Sequence, residues 1–191
     1  MARFIISDTH FDHKNIIDYT NRPFENVEEM NNHMIESWNN IVKENDVVVH
    51  VGDFAMANQN RVEEIISKLN GKILLIKGNH DNISEYTFPH PYVESTVIQH
   101  KGYRYYCSHK KEDIPDFWKH WTLVGHTHND DPFINYNKKL INISVECIGY
   151  KPLPLDILDK CLKSMSKKSN NIKNIHKSNI KDYEWYHENH I

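Results

Sequence analysis

Apolar residues along this chain fall into two rhythms. Short, mostly apolar runs at 3–6, 46–51, 73–76 and 121–124 have the length of fully buried strands. Elsewhere the apolar positions space out. Val27, Met30, Met34, Trp38, Ile41 and Val42 share one helical face, with Glu28 and Glu29 in the first turn, where acids suit the positive end of a helix. Val62, Ile65, Ile66 and Leu69 mark another helix, stopped by Asn70-Gly71. The polar stretch 11–24, with Ile16 and Ile17, predicts one short helix. Strand, helix, strand, helix, strand predicts a parallel sheet with crossover helices.

Beyond residue 90 the pattern changes. Runs at 93–98 and 104–107 predict two strands joined in a hairpin at Lys101-Gly102. Runs at 133–135 and 140–145 flank 136–139 as a second hairpin. Leu155, Ile157, Leu158, Cys161, Leu162 and Met165 predict a closing helix over 154–165. From Ser166 onward Lys, Ser and Asn dominate. The expected organisation is one domain over 1–165 and a loosely ordered polar tail over 166–191.

Composition narrows the class. With 191 residues, 39% hydrophobic and 26% charged, the chain suits one globular domain with a sizeable core. A net charge of −3 exerts no general pull toward nucleic acid or anionic membrane and argues against long polymers as partners. No apolar run approaches 18 residues and no charged-then-apolar leader precedes the first strand, so a cytoplasmic protein without a membrane span is expected. Cys107, Cys147 and Cys161 are odd in number and lack metal spacing, which fits reduced thiols. Oligomeric state is left open by these features. The unusual count is 14 histidines, and their neighbours decide what each one means.

The strand ends supply those neighbours. The run at 73–76 leads into Gly78-Asn79-His80-Asp81, and the others end at Ser7-Asp8-Thr9-His10, Gly52-Asp53, Ser108-His109 and Gly125-His126-Thr127-His128. Ligands of open α/β sheets collect beyond the carboxyl ends of the strands. Asp8 and His10, two apart, would point to one side on extended backbone, and His126 and His128 repeat that spacing. Carboxylate, imidazole and amide oxygen together suit divalent Mn, Fe, Ni or Zn. Asp8, His10, Asp53, Asn79, His109, His126 and His128 are too many for one ion but enough for two that share a carboxylate. Paired ions stabilise both the attacking and the leaving oxygen of a phosphoryl displacement. Any one of these motifs alone would pass for a cap or turn; five in order, all at strand ends, do not. His13, Lys14, Asn15 and Arg22 follow the first motif and line either a phosphate pocket or a solvated loop. His33, His50, His90, His100 and His120 read as structural or surface residues, and His176, His187 and His190 show no ligand spacing.

The series Asp8-x-His10, Gly52-Asp53, Gly78-Asn79-His80-Asp81, His109 and Gly125-His126-x-His128 resembles the calcineurin-like metallophosphoesterase family, all five of whose blocks appear in order over 4–128. The run from Ser7 to Ile17 is similar to its small bacterial and phage members. The resemblance implies an α/β fold, a four-layer α-β-β-α sandwich with a binuclear metal site at the strand C-terminal ends. It implies that Asp8, His10, Asp53 and His128 hold one ion and Asp53, Asn79, His109 and His126 the other, with Asp53 bridging. His80 would donate a proton to the leaving oxygen, and Asp81 would orient it.

The expected enzyme is a binuclear-metal phosphoric ester hydrolase, phosphodiesterase-like, which attacks a small phosphodiester or nucleotide with a hydroxide held between the ions. No organic cofactor is needed. Short connections leave little material for a lid, which favours an open site and diesters. Two alternatives remain. A catalytically idle scaffold on the same fold would usually have lost a ligand or the donor histidine, and none is missing. A nuclease acting on short single strands would want a basic groove with stacking aromatics, toward which only Lys110-Lys111 and the lysine-rich tail point.

Overall fold

Residues 3–81 and 88–168 are described by a computed structural model. Strands β1 (Arg3–Ile6), β2 (Val47–His50) and β3 (Lys72–Ile76) run parallel, with Phe4 beside Val48 and Val48 beside Ile73. Each is apolar and buried along most of its length, as a parallel strand covered on both faces must be. The connections are helical. α1 (Ile16–Tyr19) and α2 (Val27–Asn39) lie between β1 and β2, and α3 (Gln59–Ser67) lies between β2 and β3. The side chains of Asn26 and Asn58 accept the backbone N–H of Glu29 and Arg61, which caps α2 and α3. Met30, Met34 and Trp38 of α2 and Val62, Ile65 and Ile66 of α3 are buried in the core.

Two short strands complete this sheet. β4 (Tyr92–Val93) runs parallel to β3, and β10 (Leu153–Pro154) pairs antiparallel with β1, giving the order β10-β1-β2-β3-β4. A second sheet contains β5 (Ser95–His100), β6 (Tyr103–Ser108), β7 (Trp121–Val124), β8 (Ile134–Asn135) and β9 (Leu140–Asn142) in the order β5-β6-β7-β9-β8. Here β6, β7 and β9 are parallel, and the outer strands are antiparallel hairpin partners. One buried core takes Ile5 and Leu75 from the first sheet and Tyr105, Leu123 and Ile141 from the second. Two five-stranded sheets with their helices form the mixed α/β architecture of the expected sandwich.

Departures from the sequence pattern have physical reasons. The run at 93–98 is not one strand. It divides at Glu94, where the chain leaves the first sheet for the second. The run at 140–145 ends as a strand at Asn142, whose side-chain oxygen accepts the Ser144 N–H, and the chain then turns into α4 (Val145–Ile148). The closing helix α5 (Leu155–Lys168) runs three residues past the expected domain end at Met165, and the rest of the expected tail lies outside the described residues. α5 packs on β1 and β10 and also reaches the second sheet. Its Asp159 accepts the Tyr105 hydroxyl at 2.5 Å and lies 2.6 Å from His100 Nδ1. Cys107, Cys147 and Cys161 are buried. Among the described residues no helix is long and apolar enough to cross a membrane.

Candidate functional site

The loops that follow β1, β2, β3, β6 and β7 meet at one end of the two sheets. Beyond the strands they stay tied backbone to backbone: Asp8 N–H donates to Gly52 O at 3.0 Å, His10 N–H to Asp53 O at 3.0 Å, and Gly125 N–H to His109 O at 3.1 Å. Asp8, His10, Asp53, His126 and His128 have φ of +58°, +47°, +56°, +70° and +47°. Non-glycine residues adopt this left-handed region sparingly, and when several do so together the surrounding contacts must hold them there. Left-handed backbone, and not the expected alternation on extended backbone, brings Asp8 to His10, while His126 and His128 divide between two groups. Two glycines allow the loops to close. A Cβ on Gly78 would collide with the Asp53 carboxylate, and one on Gly125 with the Ser7 hydroxyl and the Asp8 carboxylate.

The side chains form two groups. Asp8, His10 and His128 each place a donor atom within 4.8 Å of the others, and so do Asp53, His109 and His126. Asp53 Oδ2 stands between the groups, 3.2 Å from His109 Nε2 and 3.5 Å from His10 Nε2. Asn79 Oδ1 lies 3.2 Å from His109 Nε2, and His128 Nε2 lies 4.0 Å from Asp8 Oδ1. The His126 N–H donates to Asp8 Oδ1 at 3.0 Å, joining the second sheet's loop to the first's.

This arrangement fits divalent cations. His109 donates from Nδ1 to Val51 O at 2.8 Å, so Nε2, the atom facing Asp53, is the one that would offer a lone pair once the ring gives up its second proton in exchange for an ion. Among the described residues His10 Nε2 is buried without a hydrogen-bond partner. A buried nitrogen in that condition is costly unless something electron-poor takes its lone pair. Oxygen and imidazole donors together are a borderline-hard set.

Charge in the cluster is mutually adjusted. Burial pushes the Asp53 carboxyl up, but its hydrogen bond to His109 and the His109 and His10 charges together hold it well below the usual carboxylate range. Burial opposes the charged form of His109, yet Asp53 and Asp8 raise it to about 9. His10 is lowered by burial, and Asp8 is raised by burial.

The remaining candidates separate. His80 is exposed, its ring centroid is 5.5 Å from that of His10, and its backbone N–H donates to Asp53 Oδ1 at 2.8 Å. Asp81 has a task the sequence did not suggest. Its carboxylate accepts the backbone N–H groups of Asp53, Phe54 and Gly78, each at 2.8 Å, and so fastens the β2 loop to the β3 loop. His13 is partly buried, with Nδ1 3.3 Å from His10 Nδ1. Lys14 and Asn15 are exposed.

Arg22 does not line a phosphate pocket. Its side chain is fully buried, and it donates to Asp8 O at 2.8 Å, Thr9 O at 2.9 Å and Glu146 Oε1 at 2.8–3.0 Å. A guanidinium so engaged has no fork to offer a substrate.

Sequence reasoning missed Glu146, Ser144 and Asn142, which contact this site. The Ser144 hydroxyl donates to Asp8 Oδ2 at 2.9 Å, the Asn142 amide to His128 O at 2.6 Å, and Glu146 Oε1 lies 3.0 Å from His128 Nδ1. An acidic residue inside the otherwise apolar Val145–Ile148 was the available signal, since such a charge is buried only with partners. His50, expected to be structural, is buried with Nε2 2.9 Å from Thr9 Oγ1.

Comparison with known proteins adds three findings. An uncharacterized protein of Methanocaldococcus jannaschii is 40% identical over 166 residues, covering 83% of this chain and 90% of that one. The crystal structure of a protein of unknown function from Aquifex aeolicus superposes with a TM-score of 0.65 at 27% identity, covering 84% of this chain and 98% of that one. The calcineurin-like phosphoesterase superfamily domain matches residues 1–143, a span that holds every strand-end motif described above. With strands, loops and ligand groups in that order, the chain belongs to the calcineurin-like phosphoesterase superfamily.

Proposed function

We propose that this protein is a metal-dependent phosphodiesterase that holds two divalent ions and hydrolyses small phosphodiesters or nucleotides. The observation that carries the reading is the Asp53 carboxylate, which faces His109 of one donor group and His10 of the other through a single oxygen. Asp8, His10, Asp53 and His128 would hold one ion, and Asp53, Asn79, His109 and His126 the second. Bound ions supply positive charge to the phosphoryl oxygens and acidify a water molecule.

The chain's own residues supply the rest. His80 stands exposed beside His10 and outside both donor groups, so its imidazole is placed to hold a proton for the departing oxygen. Hydrogen bonding of its N–H to Asp53 fixes its backbone against the metal-holding carboxylate. Asp81 serves by clamping the Asp53 loop, which keeps that carboxylate between the two groups. His13, partly buried against His10, would meet a phosphate oxygen. Five left-handed loop residues hold the donors before substrate arrives, and such preorganisation reduces the rearrangement needed in the transition state.

The test is turnover of nitrophenyl phosphate, bis-nitrophenyl phosphate, cyclic nucleotides and dinucleotides, with metal content measured in parallel. Activity should vanish on chelation, return with Mn more than with Mg because imidazole suits transition ions, and favour diesters over monoesters. Undiminished turnover by a chain shown to be metal-free would sink the proposal.

A further inference from the structure

We propose that Glu146 is a positioning residue for one half of the metal centre, fixing His128 so that its Nε2 faces Asp8 and His10. The inference rests on the two-ion reading above. His128 Nδ1 lies 3.0 Å from Glu146 Oε1. A neutral imidazole has one N–H and one lone pair, and a carboxylate can only accept, so Nδ1 carries the proton and Nε2 keeps the lone pair. Nε2 is the atom that lies 4.0 Å from Asp8 Oδ1. Carboxylate partners of this kind orient a ligating histidine and raise its basicity toward the ion.

Glu146 is itself held. Its side chain is 4% exposed, and Oε1 accepts Arg22 Nε at 3.0 Å and Arg22 Nη2 at 2.8 Å. The same guanidinium donates to Thr9 O at 2.9 Å and Asp8 O at 2.8 Å. One buried ion pair therefore joins the His128 side chain, from the second sheet, to the backbone of the Asp8 loop, from the first. Nearby contacts act on the same half: Ser144 Oγ on Asp8 Oδ2, Asn142 Nδ2 on His128 O, and Cys147 Sγ on His128 O at 3.3 Å. The other half has separate supports, with His109 held by Val51 O and the Asp53 loop by Asp81. Glu146 lies past residue 143, where the match to the superfamily domain ends. Loss of Glu146 should thus weaken one ion position and spare its neighbour.

Glu146→Gln is the informative variant, because it keeps an Oε1 acceptor for Arg22 but removes the charge that holds the His128 Nδ1 proton and raises the basicity of Nε2 toward the ion. Zn or Mn titration of the intact protein should give two ions for wild type. The variant should bind one ion with unchanged affinity and the other about 10–100-fold more weakly. Long-range ¹H–¹⁵N spectra of ¹⁵N-histidine-labelled wild type before Zn is added, where no ion on Nε2 imposes the tautomer, should show neutral His128 with its proton on Nδ1. That readout needs no variant, so it decides the matter even if Glu146→Gln fails to fold. A proton on His128 Nε2, two unchanged affinities in the variant, or an equal loss at both positions with a lowered metal-free melting temperature would each overturn the proposal. A wild type that takes up no ion would overturn the two-ion reading and this inference with it. Two ions in wild type with an unaffected variant would overturn only the inference.

Discussion

Asp53 is the residue on which the two donor groups depend together. Replacing it by Asn keeps the shape and removes the charge that both His10 and His109 face. Metal analysis of Asp53→Asn should show well under two ions per chain, whereas His10→Ala should empty one position preferentially. Retention of both ions with normal turnover in Asp53→Asn would remove the shared-ligand assignment. His80 differs in kind, because the donor groups are complete without it. Proton transfer to a leaving group is usually worth about 10²–10⁴-fold in rate, and it matters only where that group is a poor one. A nitrophenolate departs unaided, while a ribose alkoxide does not. His80→Ala should therefore keep both ions, change kcat/KM little on a nitrophenyl diester and lower it about 10²-fold or more on a dinucleotide. Equal losses on both would mean that His80 binds phosphate. At this scale the strand-end residues were legible in the sequence, because each sits in a short motif beside the glycine or partner that positions it. The pairing of Arg22 with Glu146 was not, since a contact across 124 positions leaves no local trace.

The elements that matter are the loops, and they store what the strands do not show. Parallel strands β1, β2 and β3 and the helices between them could be read from run length and helical spacing, because burial on both faces or on one stripe writes that pattern directly. The crossing at Glu94 and the two-residue strand β10 left no pattern, for tertiary pairing and not local preference decides them. The left-handed residues were equally hidden, since Asp and His enter that region more readily than most residues yet no local pattern says which of them will. Arg22 tests how firmly these loops are held. Its buried guanidinium spans two loop carbonyls and a carboxylate, and removing one member of such a pair strands the other in the interior. Arg22→Met should destabilise the fold by about 3–5 kcal/mol, seen as a lowered denaturation midpoint. A change under about 1 kcal/mol would mean that the pair is easily replaced by packing.

At the scale of the whole molecule, every group assigned to the site lies between Asp8 and Glu146, and the described residues end within helix α5 at Lys168. A chain ending at Lys168 should keep its esterase activity, measured as kcat/KM on the best substrate of the panel. If that chain folds but loses turnover, the polar tail takes part in the site. The sheets also divide the donors between them: Asp8, His10, Asp53 and Asn79 follow strands of one, and His109, His126 and His128 follow strands of the other. Ions bound as proposed would therefore rivet the two halves of the molecule, and binding to the folded state alone adds about 2.7 kcal/mol at a hundredfold excess over the dissociation constant. A starved chain would open along that seam more often and meet proteases there. Its lifetime in a cell, and so its abundance, would follow the supply of transition metal without any change in its synthesis.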